Sequence, residues 1–314
     1  MPIFHLFVYI NAYILLWLAT GLIVSSASRF SRLLRLSSFA VSFFVLGMLT
    51  STPEIGLGVT SVINHQPELF VGDLIGGIVV IFFFIIPLLA IFGNGLQIGK
   101  HITSATLFLS FAVFVVPVLA VLDMKVTMAE GVVAMMMYCI LFLFVERKKG
   151  IFNHSTVEAV VNAPHIRKEL AKIAVGIGCV FLASIMIVRY TVYYATSFNI
   201  SPFFLGLFVL ALGTNLPELS IAIRATIAKE KNIALGDYVG SAAANTFLFG
   251  LFTILAGGEV VLAKGFYPTL FLMVVGFTLF YLLARTKNGI SKREGFFLLA
   301  YYLLFIFIEK VSGT

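Results

Sequence analysis

Long apolar runs, broken at short intervals by polar or basic residues, fill the chain from end to end. A helix that spans a bilayer needs about 20 predominantly apolar residues. The runs predict ten such helices, at roughly 4–25, 36–63, 68–92, 102–121, 127–145, 170–196, 201–228, 232–256, 265–284 and 293–310. The first has no basic residue ahead of it and no clear small-residue cleavage site, so it reads as a retained helix and not a signal peptide. One connection is long and polar, residues 146–169 (ERKKGIFNHSTVEAVVNAPHIRKE). It reads as a solvated cytoplasmic linker between a first half, 1–145, and a second half, 170–314.

Basic residues give the spans a direction. Seventeen Lys and Arg, among them Arg29, Arg32, Arg35, Arg147, Lys148 and Lys149, fall on or near the side reached after the first span; Lys125, Arg189, Lys264 and Lys310 fall on the other. The positive-inside rule makes the rich side cytoplasmic and puts both termini outside. Topology therefore accounts for the net charge of +7, which does not call for a nucleic-acid partner. With 61% hydrophobic and 11% charged residues and a mean hydropathy of +1.08, almost nothing is left for a soluble domain. The expected partners are the lipid bilayer and inorganic cations. Cys139 and Cys179 sit in apolar runs without local partners and predict neither a metal site nor a disulfide framework.

Within this apolar background the chain says one thing twice. Residues 41–81 and 205–245 align without a gap at a constant offset of 164, which places Pro53-Glu54 on Pro217-Glu218, Thr50 on Thr214, Gly72-Asp73 on Gly236-Asp237 and Gly76 on Gly240. The turn at 64–67 falls outside and its mate at 228–231 inside, so the copies have opposite orientation. The expected fold is an all-α membrane protein of ten transmembrane helices, built as two inverted five-helix repeats. Many secondary transporters share this architecture, with broken helices meeting near the midplane.

Each copy puts a proline and a carboxylate inside an apolar helix. Pro53 has no amide hydrogen and clashes with the carbonyl of Leu49, four residues back; Pro217 does the same to Gly213. In lipid a freed carbonyl must be satisfied by protein, water or an ion. Thr50, Ser51 and Glu54 share a helical face, as do Thr214, Asn215 and Glu218. Carboxylate, hydroxyl and carbonyl oxygens suit hard cations such as calcium and sodium, and calcium takes about 6–8 of them; zinc and copper favour imidazole or thiolate. Proline kinks and hydroxyl residues are ordinary in membrane helices, and one buried glutamate can be a protonated structural group. Two at matched repeat positions point to a shared site. A second stripe, Asp237, Ser241 and Asn245, shares a face of the next helix, whereas its mates are Asp73, Gly77 and Ile81. Asp73 and Asp237 are candidate ligands; their places near helix N-termini suit a capping or entrance role as well.

Gly213-Thr214-Asn215-Leu216-Pro217-Glu218 with Gly236-Asp237-Tyr238-Val239-Gly240-Ser241 resembles the second alpha repeat of the calcium/cation antiporter superfamily, which includes sodium/calcium exchangers. That repeat reads G-T-S-x-P-E, then G-N/D-x-x-G-S-N. Thr50-Ser51-Thr52-Pro53-Glu54 with Gly72-Asp73-Leu74-Ile75-Gly76-Gly77 is a more divergent match to the first repeat. The resemblance implies that Glu54 and Glu218 are the central acidic ligands, that Thr50 and Thr214 give main-chain carbonyls to calcium, and that Ser51 and Ser241 serve flanking sodium sites. Asn245 fits the pattern. Asn215 and Gly77 stand where the family usually has Ser, and Ile81 where it often has Asn or Asp. The calcium core is kept and the flanking sites are thinned.

The function expected is secondary active exchange of Ca2+ for Na+ by alternating access in the cell membrane, with no enzymatic activity and no cofactor beyond the transported ions. Gly77 and Ile81 support an alternative with fewer sodium sites, or with H+ as counter-ion. A cation channel, an intramembrane aspartyl enzyme built on Asp73 and Asp237, and a non-transporting homologue are the competing classes. No regulatory domain is recognisable, so calcium-sensing regulation is not expected.

Overall fold

The computed structural model describes residues 2–33, 47–97, 104–149, 163–216, 218–219, 223, 231–262, 267–286 and 289–312. Ten helices lie among them, one for each apolar run. They are α1 (Pro2–Leu33), α2 (Gly47–Thr50 and Thr52–Ile63), α3 (Pro67–Val80, a π turn Ile81–Ile85, and Ile86–Phe92), α4 (Ser104–Ala120) and α5 (Met128–Lys149). The second five are α6 (Ala163–Phe198), α7 (Pro202–Leu205, a π turn Gly206–Leu210, and Ala211–Thr214), α8 (Lys231–Leu255), α9 (Tyr267–Thr286) and α10 (Lys292–Ser312). The expected starts of α2 and ends of α7 lie outside the described residues. Helices α5 and α6 both reach into the segment 146–169, of which 150–162 is outside the described residues. Among the described residues both cysteines are free.

By length and composition five helices can each cross a membrane, at Phe4–Ile23, Pro67–Phe92, Met128–Val145, Arg167–Phe198 and Tyr238–Leu255. Shorter apolar helices cover Ala105–Ala120, Pro202–Thr214 and Leu270–Arg285. The protein is a multi-pass integral membrane protein. Burial separates two roles: 89% of the α3 window and 78% of the α8 window are covered by protein, against 28% in α1 and 33% in α6. A helix apolar all round but for a single buried carboxylate beyond its first turn, as α3 is, belongs in the interior of a bundle. Helices α1 and α6 pack chiefly on each other, through Ala12, Leu16, Ala19 and Ile23 against Val180, Ala183 and Ile187. Their ends are tied by Tyr9 Oη to Thr191 Oγ1 at 2.8 Å and by Arg29 to Glu169 at 3.6 Å.

Four short strands follow the same offset as the repeats. Strand β1 (Leu96–Gln97) pairs antiparallel with β4 (Gly289–Ile290), and β2 (Lys125–Thr127) with β3 (Glu259–Val261). Leu96 faces Ile290, and 164 residues away from each of them Val260 faces Val126. The helix starts obey it too. Glu130 Oε2 accepts from the Thr127 amide at 2.7 Å, and Glu294 Oε2 from the Ser291 amide at 2.7 Å, a capping box in each half. Only connections on the same face of a membrane can pair. The α3–α4 connection pairs with α9–α10, and α4–α5 with α8–α9, as ten crossings require. The offset carries β1 to β3, from one face to the other, so the halves are inverted.

Helix α3 crosses α7 at a pair of glycines. A Cβ on Gly72 would lie 2.4 Å from the Phe203 carbonyl oxygen, and one on Gly206 2.6 Å from that of Leu69. Backbone on both sides leaves nothing flexible to move. Gly206→Val is therefore expected to cost about 1–3 kcal/mol or more of stability, read as a lower thermal midpoint in detergent; an unchanged midpoint would refute the crossing.

Candidate cation-binding site

Helices α2 and α7 break at matched residues. Ser51, between the two pieces of α2, has φ −74° and ψ 9°; Asn215, 164 positions on, has φ −85° and ψ 12°. Both sit in the sparsely populated bridge region between helix and strand. After each break the helix resumes with the same bond, Ile55 N to Ser51 O at 3.0 Å and Leu219 N to Asn215 O at 3.0 Å. The proline two residues after each break removes the amide that would have bridged it; Pro217 itself lies outside the described residues.

The sequence-predicted side chains converge on these breaks. Thr50, Ser51, Glu54, Thr214, Asn215, Glu218, Ser241 and Asn245 are all buried, none more than 1% exposed. Ser241 Oγ donates to Glu218 Oε1 at 2.8 Å and lies 3.5 Å from Ser51 Oγ. Asn215 Nδ2 donates to the Ala211 carbonyl at 2.8 Å. The Thr50 hydroxyl neighbours Glu218, and the Thr214 hydroxyl neighbours Glu54, the cross-repeat arrangement that the symmetry demands.

Asp73 belongs with them, and here the capping or entrance role is corrected. Gln66 holds the N-cap position of α3, and Asp73 lies deep in the helix, 1% exposed, with Oδ1 accepting from Thr214 Oγ1 at 3.1 Å. The glycine crossing of α3 and α7 brings it there, which the repeat alignment by itself did not reveal. Its carboxyl group and that of Glu218 both lie near Glu54. Of Asp237 only the backbone, in α8, is among the described residues. Tyr13 of α1 reaches the same region, with a ring carbon 2.0 Å from where a Cβ on Gly213 would be.

What the cluster leaves unmade defines its chemistry. The Thr214 hydroxyl and the Glu54 main chain approach the Glu54 carboxylate without reaching hydrogen-bond geometry, so Oε1 and Oε2 both lack a partner. So do Glu218 Oε2, Asp73 Oδ2, Asn215 Oδ1 and Asn245 Oδ1. A buried acceptor left unpaired costs about 1–3 kcal/mol, and more when charged. Among the described residues no three His, Cys, Asp or Glu side chains close on one point. The donor set is thus two neighbouring glutamates supplemented by amide, hydroxyl and main-chain oxygen. It fits a hard cation and offers nothing to a thiolate- or imidazole-loving metal.

Comparison with known proteins agrees with this chemistry. The putative antiporter CaxA of Alkalimonas amylolytica is 24% identical over 314 residues, covering 96% of this chain and 97% of its own. The sodium/calcium exchanger MaX1 of Methanosarcina acetivorans is 26% identical over 145 residues, 45% of this chain and 40% of that protein. The solved structure of the sodium-calcium exchanger NCX_Mj, soaked with sodium and without calcium, superposes with a TM-score of 0.70 at 21% identity, over 99% of both chains. The profile of the sodium/calcium exchanger protein family matches residues 4–145 and 168–310. Both five-helix halves are covered by that match, and the chain belongs to the sodium/calcium exchanger family of cation antiporters.

Proposed function

We propose that the chain exchanges Ca2+ for Na+ by alternating access at a midplane site built on Glu54 and Glu218. The observation that carries this reading is the set of buried oxygens without hydrogen-bond partners on Glu54, Glu218, Asp73, Asn215 and Asn245. In the reading, Glu54 and Glu218 bind the divalent ion with main-chain carbonyls of Thr50 and Thr214. Ser51, Asn215, Ser241 and Asn245 flank them, and Asp73 holds Thr214; Asp237 takes the corresponding place in the second copy. Two glutamate charges are neutralised by one Ca2+, two Na+ or two H+. An empty site would leave both bare in a low dielectric. That penalty discourages the unloaded protein from changing sides and so enforces exchange.

Alternating access needs a frame and a moving part. The strand pairs β1–β4 and β2–β3 join the two halves at both faces, which supports a fixed core. Helices α1 and α6, packed on each other and outside the strand pairs, are the sliding pair. The division into halves 1–145 and 170–314 around a cytoplasmic linker, both termini outside and location in the cell membrane complete the reading; the basic residues gathered on one side support it.

A second reading, a proton-coupled calcium antiporter with fewer sodium sites, is favoured by Gly77 and Ile81, which bring no oxygen where the second copy has Ser241 and Asn245. One experiment separates them. Protein in sodium-loaded liposomes is diluted into sodium-free calcium buffer, beside a set carrying only a pH gradient. Calcium uptake driven by sodium is expected. Uptake driven by the pH gradient alone would establish the second reading, and no uptake under either gradient would overturn both.

A further inference from the structure

The repeat makes Glu54 and Glu218 equivalent, yet their surroundings differ. Ser241 in α8 donates to Glu218 Oε1 at 2.8 Å. The residue that would donate to Glu54 lies 164 positions earlier in α3, and it is Gly77. Both oxygens of Glu54 are consequently without a partner, against one of Glu218. The missing side chain is not replaced by a void. A Cβ on Gly77 would lie 2.6 Å from Asn245 Nδ2 and 3.0 Å from Asn215 Nδ2. Two amide groups of the second half crowd the place that a serine Cβ would take. Asn245 is itself the mate of Ile81, which is fully buried in the core.

We propose that the two glutamates divide the coordination of a divalent cation unequally: Glu54 presents both carboxylate oxygens, Glu218 only Oε2, and the Gly77–Ser241 difference sets the division. This rests on the cation site proposed above and goes beyond it by assigning Ser241 as a positioning residue for Glu218 and Gly77 as the residue that releases Glu54. Coordination by Glu54 disturbs no existing hydrogen bond, whereas Oε1 of Glu218 would have to share its lone pairs and its orientation with the serine.

The test is calcium binding to the purified full-length protein in sodium-free detergent solution, followed by calorimetric titration. Glu54→Gln is expected to weaken binding at least about tenfold more than Glu218→Gln, as a lost interaction with a charged group does. In a Ser241→Ala background Glu218 gains the freedom of Glu54, and the ratio of the two losses is expected to fall toward one; Ser241→Thr, which keeps the hydroxyl, should preserve it. A merely structural role for Ser241 would weaken both variants alike and leave the ratio unmoved. If Ser241→Ala fails to fold, judged by its melting curve, Gly77→Ser combined with Asn245→Ala reaches the same end from the other side. It gives Glu54 a hydroxyl and clears the amide that the new Cβ would strike. Equal losses in the parent background, or a ratio that neither background changes, would overturn the division while leaving the site standing. No calcium binding by the unsubstituted protein would overturn the site itself.

Discussion

In ion-free buffer the doubly neutralised protein, Glu54→Gln with Glu218→Gln, is expected to melt above the parent, while calcium that stabilises the parent leaves it unmoved. The two glutamates are fully buried neighbours, and three of their four oxygens have no hydrogen-bond partner. Glutamine matches their shape and removes the charge. A buried acceptor left unpaired costs about 1–3 kcal/mol and more when charged, so the variant gains stability as it loses its ligand. The parent recovers the difference by binding: a ligand at 100 times its Kd adds about 2.7 kcal/mol. Differential scanning fluorimetry in chelator and in millimolar calcium reads both effects. A variant that melts with or below the parent in chelator would show that the carboxylates serve stability. One that still shifts with calcium would place the ion elsewhere. The opposed signs separate a functional site from a structural one, since proteins accept such local instability where a ligand later relieves it.

The second large effect concerns motion. With Cys139 and Cys179 removed, a disulfide between Tyr13→Cys and Gly213→Cys is expected to stop exchange in liposomes, and its reduction to restore it. The Tyr13 ring lies over Gly213, so this link fastens α1 to the broken helix α7. A disulfide between Lys125→Cys and Val261→Cys, which face each other in β2 and β3, is expected to leave the rate near that of the reduced protein. In the proposed mechanism the first pair joins the moving part to the frame and the second joins frame to frame. The reduced form of each is its own control for the substitutions. Exchange that survives the α1–α7 link, or fails under the strand link, would overturn the assignment of the sliding pair.

Much of this architecture is legible in the residues. Ten apolar runs become ten helices, because in lipid a spanning segment must satisfy its own backbone. The runs report membrane thickness, not helix length. Helix α1 continues to Leu33 past the expected end at 25, and α6 begins at Ala163, ahead of 170. Those extensions are polar and basic, and helical bonding does not stop where apolarity does. The breaks at Ser51 and Asn215 are announced by Pro53 and Pro217, since a missing amide is a property of the residue. The π turn at Ile81–Ile85 is followed by Pro87 in the same way, whereas the one at Gly206–Leu210 carries no such mark, and strands as short as Leu96–Gln97 have no room to show alternation. Asp73 was visible as a candidate, but its partner Thr214 is 141 residues away. Only the packing of α3 on α7 joins them. The loss of a hydroxyl at Gly77 can likewise be read from the repeat, whereas the amides of Asn215 and Asn245 that crowd Gly77 cannot.

The register of the four strands also describes a molecule simpler than this one. Since β3 stands for β1 and β4 for β2, two copies of the first half inserted in opposite senses would find the same neighbours. Strand β1 of each would lie beside β2 of the other, with Leu96 opposite Val126 at both faces. Such a pair is a closed twofold dimer, and it leaves none of these strands without a mate. Joining the copies in one chain keeps that closure and lifts one restriction: a change in one copy no longer appears in the other. Gly77 against Ser241 and Ile81 against Asn245 are changes of that kind, open to a fused chain and closed to a dimer of identical halves.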